Sequence, residues 1–131
     1  MGSPMVKQLV VLVENRPGAL HDLASVLAEN DLNVEAIMIE GSLDFGTARI
    51  HVGNPRKAQK VLEDAGYQVT SGDVLTLKLA NKPGELERVT GALKRAKVNI
   101  ECLFGTTSGA GEAELVVKVN DLEKARAALG L

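Results

Sequence analysis

Two stretches of the chain spell nearly the same loop 66 residues apart, Asn15–Arg16–Pro17–Gly18 and Asn81–Lys82–Pro83–Gly84. An internal period constrains a fold strongly, because both copies must satisfy one pattern of turns and buried faces. The match extends outward from the loop. Leu9 aligns with Leu75, Leu20 with Leu86, Leu27 with Leu93, Asn33 with Asn99, and Glu35 with Glu101. Of the 21 positions from 15 to 35, 7 are identical between the copies. Farther on the offset becomes 67, pairing Ile50 with Val117, Lys57–Ala58 with Lys124–Ala125, and Leu62 with Leu129. The extra residue falls in Gly105–Gly111, since loop tips absorb insertions cheaply.

Within each period the apolar spacing predicts the elements. Leu9–Val13 and Val74–Leu79 read as strands, the second with leucines at alternate positions. Proline then pre-sets φ for a turn or first helical position, and glycine permits close backbone approach. Leu20, Leu23, Ala24 and Leu27 follow at helical spacing, as do Leu86, Val89, Leu93 and Ala96. Second strands are predicted over Val34–Ile39 and Ile100–Phe104. Third strands follow a hairpin tip, with Ala48, Ile50 and Val52 on a dry face and Arg49 and His51 on a wet one. Asn54–Pro55 and Asp121 read as starts of second helices. These bury Ala58, Val61, Leu62 and Ala65, and Leu122, Ala125 and Leu129. Gly66 stops the first of them, and Tyr67–Thr70 reads as a fourth strand.

The expected fold class is α+β: two ferredoxin-like units, βαββαβ then βαββα, each with helices on one face of an antiparallel sheet. The units divide as residues 5–71 and 72–131, the second lacking its last strand. The leading Met1–Gly2–Ser3–Pro4 reads as an expression remnant outside the fold.

Composition narrows the function. A net charge of −2 and only three aromatic residues, Phe45, Tyr67 and Phe104, argue against nucleic acid as a partner. No apolar run approaches the ~20 residues of a membrane helix. The lone Cys102 has no internal disulfide partner, and no secretory pattern opens the chain; a cytoplasmic location is expected. Two histidines and one cysteine at scattered spacing make no metal site, and no cofactor is expected. Nothing resembles a Ser-His-Asp or Cys-His arrangement, so no catalytic residue is assigned. Gly109–Ala110–Gly111 leads into a strand and is a hairpin tip, not a phosphate cradle.

Asn-(Arg/Lys)-Pro-Gly-x-Leu after the first strand, with Asn-(Val/Ile)-Glu about 18 residues later, resembles the ACT domain. The resemblance covers residues 7 to 129, twice. It implies a non-catalytic regulatory module that senses a small free amino acid. The first repeat is also similar to the start of the acetohydroxyacid synthase regulatory subunit, although the second half here repeats the Pro-Gly signature instead of diverging.

Backbone N–H groups at a helix start favour a carboxylate. Gly18, Ala19 and Leu20 are the candidate donors in the first copy, and Gly84, Glu85 and Leu86 in the second. Asn15 and Asn81 can donate and accept at once, which suits a zwitterion. The resemblance places Asn33 and Asn99 opposite them, each facing the other copy's loop. The same asparagines would also serve as plain structure, Asn15 and Asn81 in Asx turns, Asn33 and Asn99 as left-handed helix terminators. His21 is a weaker candidate on the first helix, and Cys102 reads as a small core or interface residue.

Units of about 60–65 residues bury only roughly 60% of their unfolded surface. That shortage, with the bare edge expected at Val74–Leu79, predicts a homodimer. The alternatives are a regulatory subunit of an amino acid biosynthetic enzyme such as acetohydroxyacid synthase, which would then be the partner, and a pairing module without a ligand.

Overall fold

The structure, a computed structural model, describes residues 4–131. Met1–Ser3 of the expected remnant lie outside the described residues. The order is β1 (Met5–Glu14), α1 (Ala19–Glu29), β2 (Val34–Ser42), β3 (Phe45–Val52), α2 (Pro55–Asp64), β4 (Val69–Ala80), α3 (Glu85–Arg95), β5 (Ile100–Thr107), β6 (Glu112–Val119) and α4 (Leu122–Leu129). This is the α+β, ferredoxin-like pattern that the repeat predicts. Two compact units result. One is Lys7–Gly72, and the other is Asp73–Leu131 together with the N-terminal residues up to Val6. The strand expected at Tyr67–Thr70 runs on without a break, so that β4 crosses the boundary between the units.

In the first unit β3 pairs antiparallel with both β1 and β2, through Leu9 opposite Ile50 and Ile37 opposite Ile50. Alternation then turns Leu9, Val11 and Val13, with Ala48, Ile50 and Val52, toward the helices. There they meet Leu23 and Leu27 of α1 and Ala58 and Leu62 of α2 in one buried cluster. Each such leucine contributes about 1.5–3 kcal/mol by leaving water. The backbone N–H of Leu12 donates to the Gln68 carbonyl at 3.1 Å, tying the chain after α2 to β1.

The second unit repeats the arrangement. Here β6 pairs with β4 and β5, and Leu75, Leu77, Leu115, Val117 and Val119 pack on Val89 and Leu93 of α3 and Ala125 of α4. The β4 edge expected to be bare is met by the chain's own start. The Thr76 N–H donates to the Pro4 carbonyl at 2.7 Å, and Met5 packs on this core. Pro4 therefore belongs to the fold and not to a remnant outside it.

Helix starts follow their sequence signals. The Asn54 carboxamide oxygen accepts from the Lys57 N–H at 3.2 Å, and Asp121 accepts from Lys124 at 3.1 Å. The buried stripes differ from the expected ones at their margins. In α1 it consists of Ala19, Leu23 and Leu27, while Leu20 stays 40% exposed and Ala24 is also exposed. A stripe through 19, 23 and 27 sets Leu20 about 100° round the helix from Ala19, on its flank. Leu86 repeats this at 53% exposed, and Ala65 is the exposed C-cap of α2. His51 departs further. Alternation does turn it away from the helices, yet it is buried, with Gln8 beside it.

Candidate functional site

The two Pro-Gly loops are built alike. Gly18 has φ 86° and Gly84 has φ 92°, and each is the N-cap of its helix. A side chain at either position would be strained by the left-handed backbone, although nothing within 4 Å of Gly84 would meet it. The first continuous helical bonds are Asp22 N–H to Gly18 O and Arg88 N–H to Gly84 O. Ahead of them, Ala19 N–H is directed to Arg16 O at 3.3 Å and Glu85 N–H to Lys82 O at 3.5 Å. Those two donors are thus partly engaged inside the loops. No loop carbonyl takes the N–H groups of Leu20 or Leu86, which remain as helix-start donors.

The asparagines do not behave alike. The Asn15 amide donates to Leu43 O at 2.8 Å, and its backbone N–H donates to Asp44 O at 2.8 Å. It clips the loop to the β2–β3 hairpin instead of forming an Asx turn. The Asn81 backbone makes the equivalent bond to Gly111 O at 2.9 Å, but its side-chain amide has no hydrogen bond among the described residues. The longer second tip supplies no carbonyl where Leu43 stands in the first.

Asn33 and Asn99 sit at the starts of β2 and β5. Within each unit they are a strand's length from Asn15 and Asn81, roughly 30 Å for nine residues. Neither is left-handed. The positive φ values fall two residues earlier, at Asp31 (57°) and Lys97 (61°), where the chain leaves α1 and α3. Asn99 N–H donates to the Asn120 side chain at 2.9 Å. Asn99 also borders a cavity of about 460 Å³ with Lys94 and Lys97.

Two cavities adjoin the loops themselves. The one in the first unit, about 450 Å³, is lined by Glu14, Arg16, Ala19, Phe45 and Tyr67 among others. Its charges are already paired: Arg16 donates to Glu14 at 2.9 Å and to Asp22 at 3.0 Å. Those bonds, that to Asp22 foremost, hold the guanidinium firmly charged. Burial, then the Asp22 charge, pushes the Tyr67 phenol above its ordinary pKa. The cavity in the second unit, about 380 Å³, holds Asn81, Lys82, Glu85 and Leu86 against Leu79, Leu103 and Leu115. Arg88 donates to Glu85 at 2.8 Å and holds that carboxyl below its usual range.

A further feature repeats between the units. Both β2 and β5 carry a bulge, at Glu35 and at Glu101. Glu101 accepts from Lys118 at 2.6 Å. At the aligned position in the first copy stands His51, and Glu35 acts on it electrostatically. The aligned Glu35 and Glu101 were visible in the sequence, but pairing them with positions 51 and 118 needed the strand register. His21 lies exposed on α1 with Ser25 Oγ at 3.4 Å, outside the loop cavity. Among the described residues no three His, Cys, Asp or Glu side chains converge to hold a metal, and no helix is long and apolar enough to cross a membrane.

The doubled βαββα unit and its paired glycine loops define a two-module chain, and comparison with known proteins names the class. Residues 4–130 match the family description ACT domain pair, and the chain belongs to that family of regulatory modules. Among solved structures it is similar to protein BT0572 from Bacteroides thetaiotaomicron. The two are 32% identical with a TM-score of 0.91, over 97% of this chain and 88% of that one. It shares its fold with the ligand-free regulatory subunit of aspartate kinase from Thermus thermophilus, at 17% identity, TM-score 0.72, and 96% and 90% coverage. The corresponding subunit from Thermus flavus gives 15%, 0.64, and 98% and 94%. No curated protein sequence matches the chain.

Proposed function

We propose that this ACT domain pair is a non-catalytic regulatory protein that binds a small free amino acid at its Pro-Gly loops and passes the signal to a partner. One observation carries the reading. Each unit caps its first helix with a left-handed glycine and leaves one helix-start N–H, of Leu20 or Leu86, without a loop carbonyl. A cavity lies beside each loop, lined by Arg16 and Ala19 in the first unit and by Asn81, Lys82, Glu85 and Leu86 in the second. A carboxylate finds donors there and the positive end of a helix dipole. Of the expected ligand residues, Asn15 is committed to the hairpin, so the ligand role in the first loop rests on Gly18 and Leu20. Asn81, Gly84 and Leu86 are available in the second, with Glu85 as the partner for an ammonium group. Asn33 and Asn99 are proposed as ligand groups of a separate region of the fold.

The signal arises because a ligand favours whichever arrangement of the chain completes its site. An amino acid biosynthetic enzyme is the proposed recipient. The fold shared with regulatory subunits of aspartate kinase supports an enzyme of that kind as readily as acetohydroxyacid synthase. A cytoplasmic homodimer is the proposed working form.

A thermal-shift screen of the twenty amino acids tests the reading. A ligand at 100 times its Kd stabilises the fold by about 2.7 kcal/mol, a shift of several degrees for a domain of this size. Flat traces throughout, confirmed by calorimetry at millimolar ligand, would instead favour a pairing module. The edge of β2, where Ile37 and Ile39 are half exposed, is the feature that such a module would use.

A further inference from the structure

The two loops share a sequence, but they differ in what is left to bind with. In the first unit Asn15 is consumed by Leu43 O, and Arg16 is forked between Glu14 and Asp22. In the second unit Ala80 stands where Glu14 does, and Arg88 stands where Asp22 does. Both acids that hold Arg16 are therefore gone, and Lys82, its counterpart, has no ion pair among the described residues. The Asn81 amide beside it is likewise unspent. Both line the cavity of about 380 Å³, a volume within the range of small-molecule sites. Its floor is Leu79, Leu103 and Leu115.

The two hairpins differ at one point of the cavity wall. Gly105 stands on β5 where Ile39 stands on β2. A Cβ at 105 would lie 2.8 Å from Glu114 O and 2.9 Å from the Leu115 side chain. At this point of the hairpin β6 packs so closely on β5 that only glycine fits, whereas Ile39 in the first unit is 44% exposed. Glu85, whose side chain is 15% exposed, lies at the same mouth. Its counterpart is Ala19, so the first loop has no acid in that place.

Building on the amino acid reading, we infer that the chain carries one effector site, in the second unit, and that it takes an amino acid with an aliphatic side chain. The α-carboxylate meets Lys82 and the Asn81 amide. The α-ammonium meets Glu85, whose carboxylate it shares with Arg88, already paired there at 2.8 Å. The side chain enters between Leu79, Leu103 and Leu115, the buried and half-buried part of a lining whose other polar members, Thr106, Thr107 and Glu114, are exposed. The first unit, whose Asn15 and Arg16 side chains are engaged within the loop and its hairpin, is on this inference a structural copy in which the Gly18 and Leu20 donors alone do not make a second site.

Calorimetry of the full chain decides this, with L-leucine, L-isoleucine and L-valine titrated against L-serine, L-aspartate and L-lysine. The expected result is binding of the aliphatic amino acids at one per chain, at least tenfold tighter than the others. Lys82→Ala should weaken it tenfold or more, while Arg16→Ala leaves it within twofold. Both residues are exposed, and circular dichroism checks that each variant folds. Two ligands per chain, loss of binding in Arg16→Ala, or retention in Lys82→Ala would overturn the one-site inference and leave the amino acid reading standing. Preference for serine, aspartate or lysine would overturn the aliphatic assignment. Failure of every amino acid to bind would overturn the amino acid reading and this inference with it.

Discussion

Gln8 and His51 are 2% and 4% exposed, and their side chains are the two buried polar ones in the described residues. The Gln8 carboxamide oxygen accepts from Arg49 at 3.1 Å, which turns its amide nitrogen toward His51 Nε2 at 3.2 Å. That nitrogen must then be the unprotonated one, with the proton on Nδ1. Burial lowers the His51 pKa below its ordinary 6.5, against a smaller opposing pull from Glu35. Protonation would also set two N–H donors face to face. A folded pKa below the unfolded one means that the stability from neutral His51 is fully present above about 6.5 and is lost as pH falls from there toward the folded pKa. Melting temperature should therefore drop on acidification through that window, and His51→Gln should flatten the drop. An unchanged slope in the variant would assign the acid sensitivity elsewhere. The loop glycines make a second expectation at this scale. Valine at position 84 must adopt a left-handed backbone, at roughly 1–2 kcal/mol. Gly84→Val should unfold at correspondingly lower denaturant, with Gly84→Asn closer to the parent.

At the scale of elements, the caps of α2 and α4 can be weighed against each other. Asn54 and Asp121 each satisfy one backbone donor, and Asn54→Ala or Asp121→Ala should cost about 1 kcal/mol in urea unfolding. Asn15→Ala should cost a similar amount for a different reason, by releasing the hairpin carbonyl at Leu43. An equal cost for Asn81→Ala would show that the Asn81 amide is as engaged as that of Asn15. These starts were legible in the sequence because a cap and a proline act within one turn of chain. Helix ends were less so. No glycine follows α1 or α3, and Asp31 and Lys97 take the left-handed position that Asn33 and Asn99 were expected to fill. That choice depends on where the final turn closes, here through Leu32 N–H to Leu27 O and Val98 N–H to Leu93 O. Alternation placed His51 on the correct face of β3. What covers that face lies in distant parts of the chain, so its burial was not legible. The site divides the same way: loop and glycine were visible, whereas the engagement of Asn15 and the freedom of Asn81 depend on the carbonyls of a hairpin tip 28 or more residues away.

For the molecule as a whole, the edge that invites association is β2 and not β4. The β4 edge, expected to need a partner strand, has Pro4 bonded at Thr76. On β2 the situation is reversed. It bonds β3 on one side, and no strand lies on its other side among the described residues. Ile37 and Ile39 on this edge are each 44% exposed. Their partners across the ladder are Ile50 and Ala48, both in the core, so the two isoleucines extend the apolar surface to the rim of the sheet. An edge with unpaired backbone groups and adjacent apolar side chains is a template for pairing with another chain. A second copy meeting β2 antiparallel would satisfy those groups and bury both isoleucines, each adding on the order of 1 kcal/mol from its remaining exposed area. Sedimentation at micromolar concentration should give a dimer of the 13.8 kDa chain. Ile39→Lys puts a charge on the shared edge of both copies and should weaken the dimer at least tenfold. A lysine at this half-exposed position reaches water, so the monomer keeps its fold and its circular dichroism. Dimerisation undiminished in Ile39→Lys would place the interface elsewhere, and a parent chain that sediments as a monomer would show that the β2 edge stands open in solution.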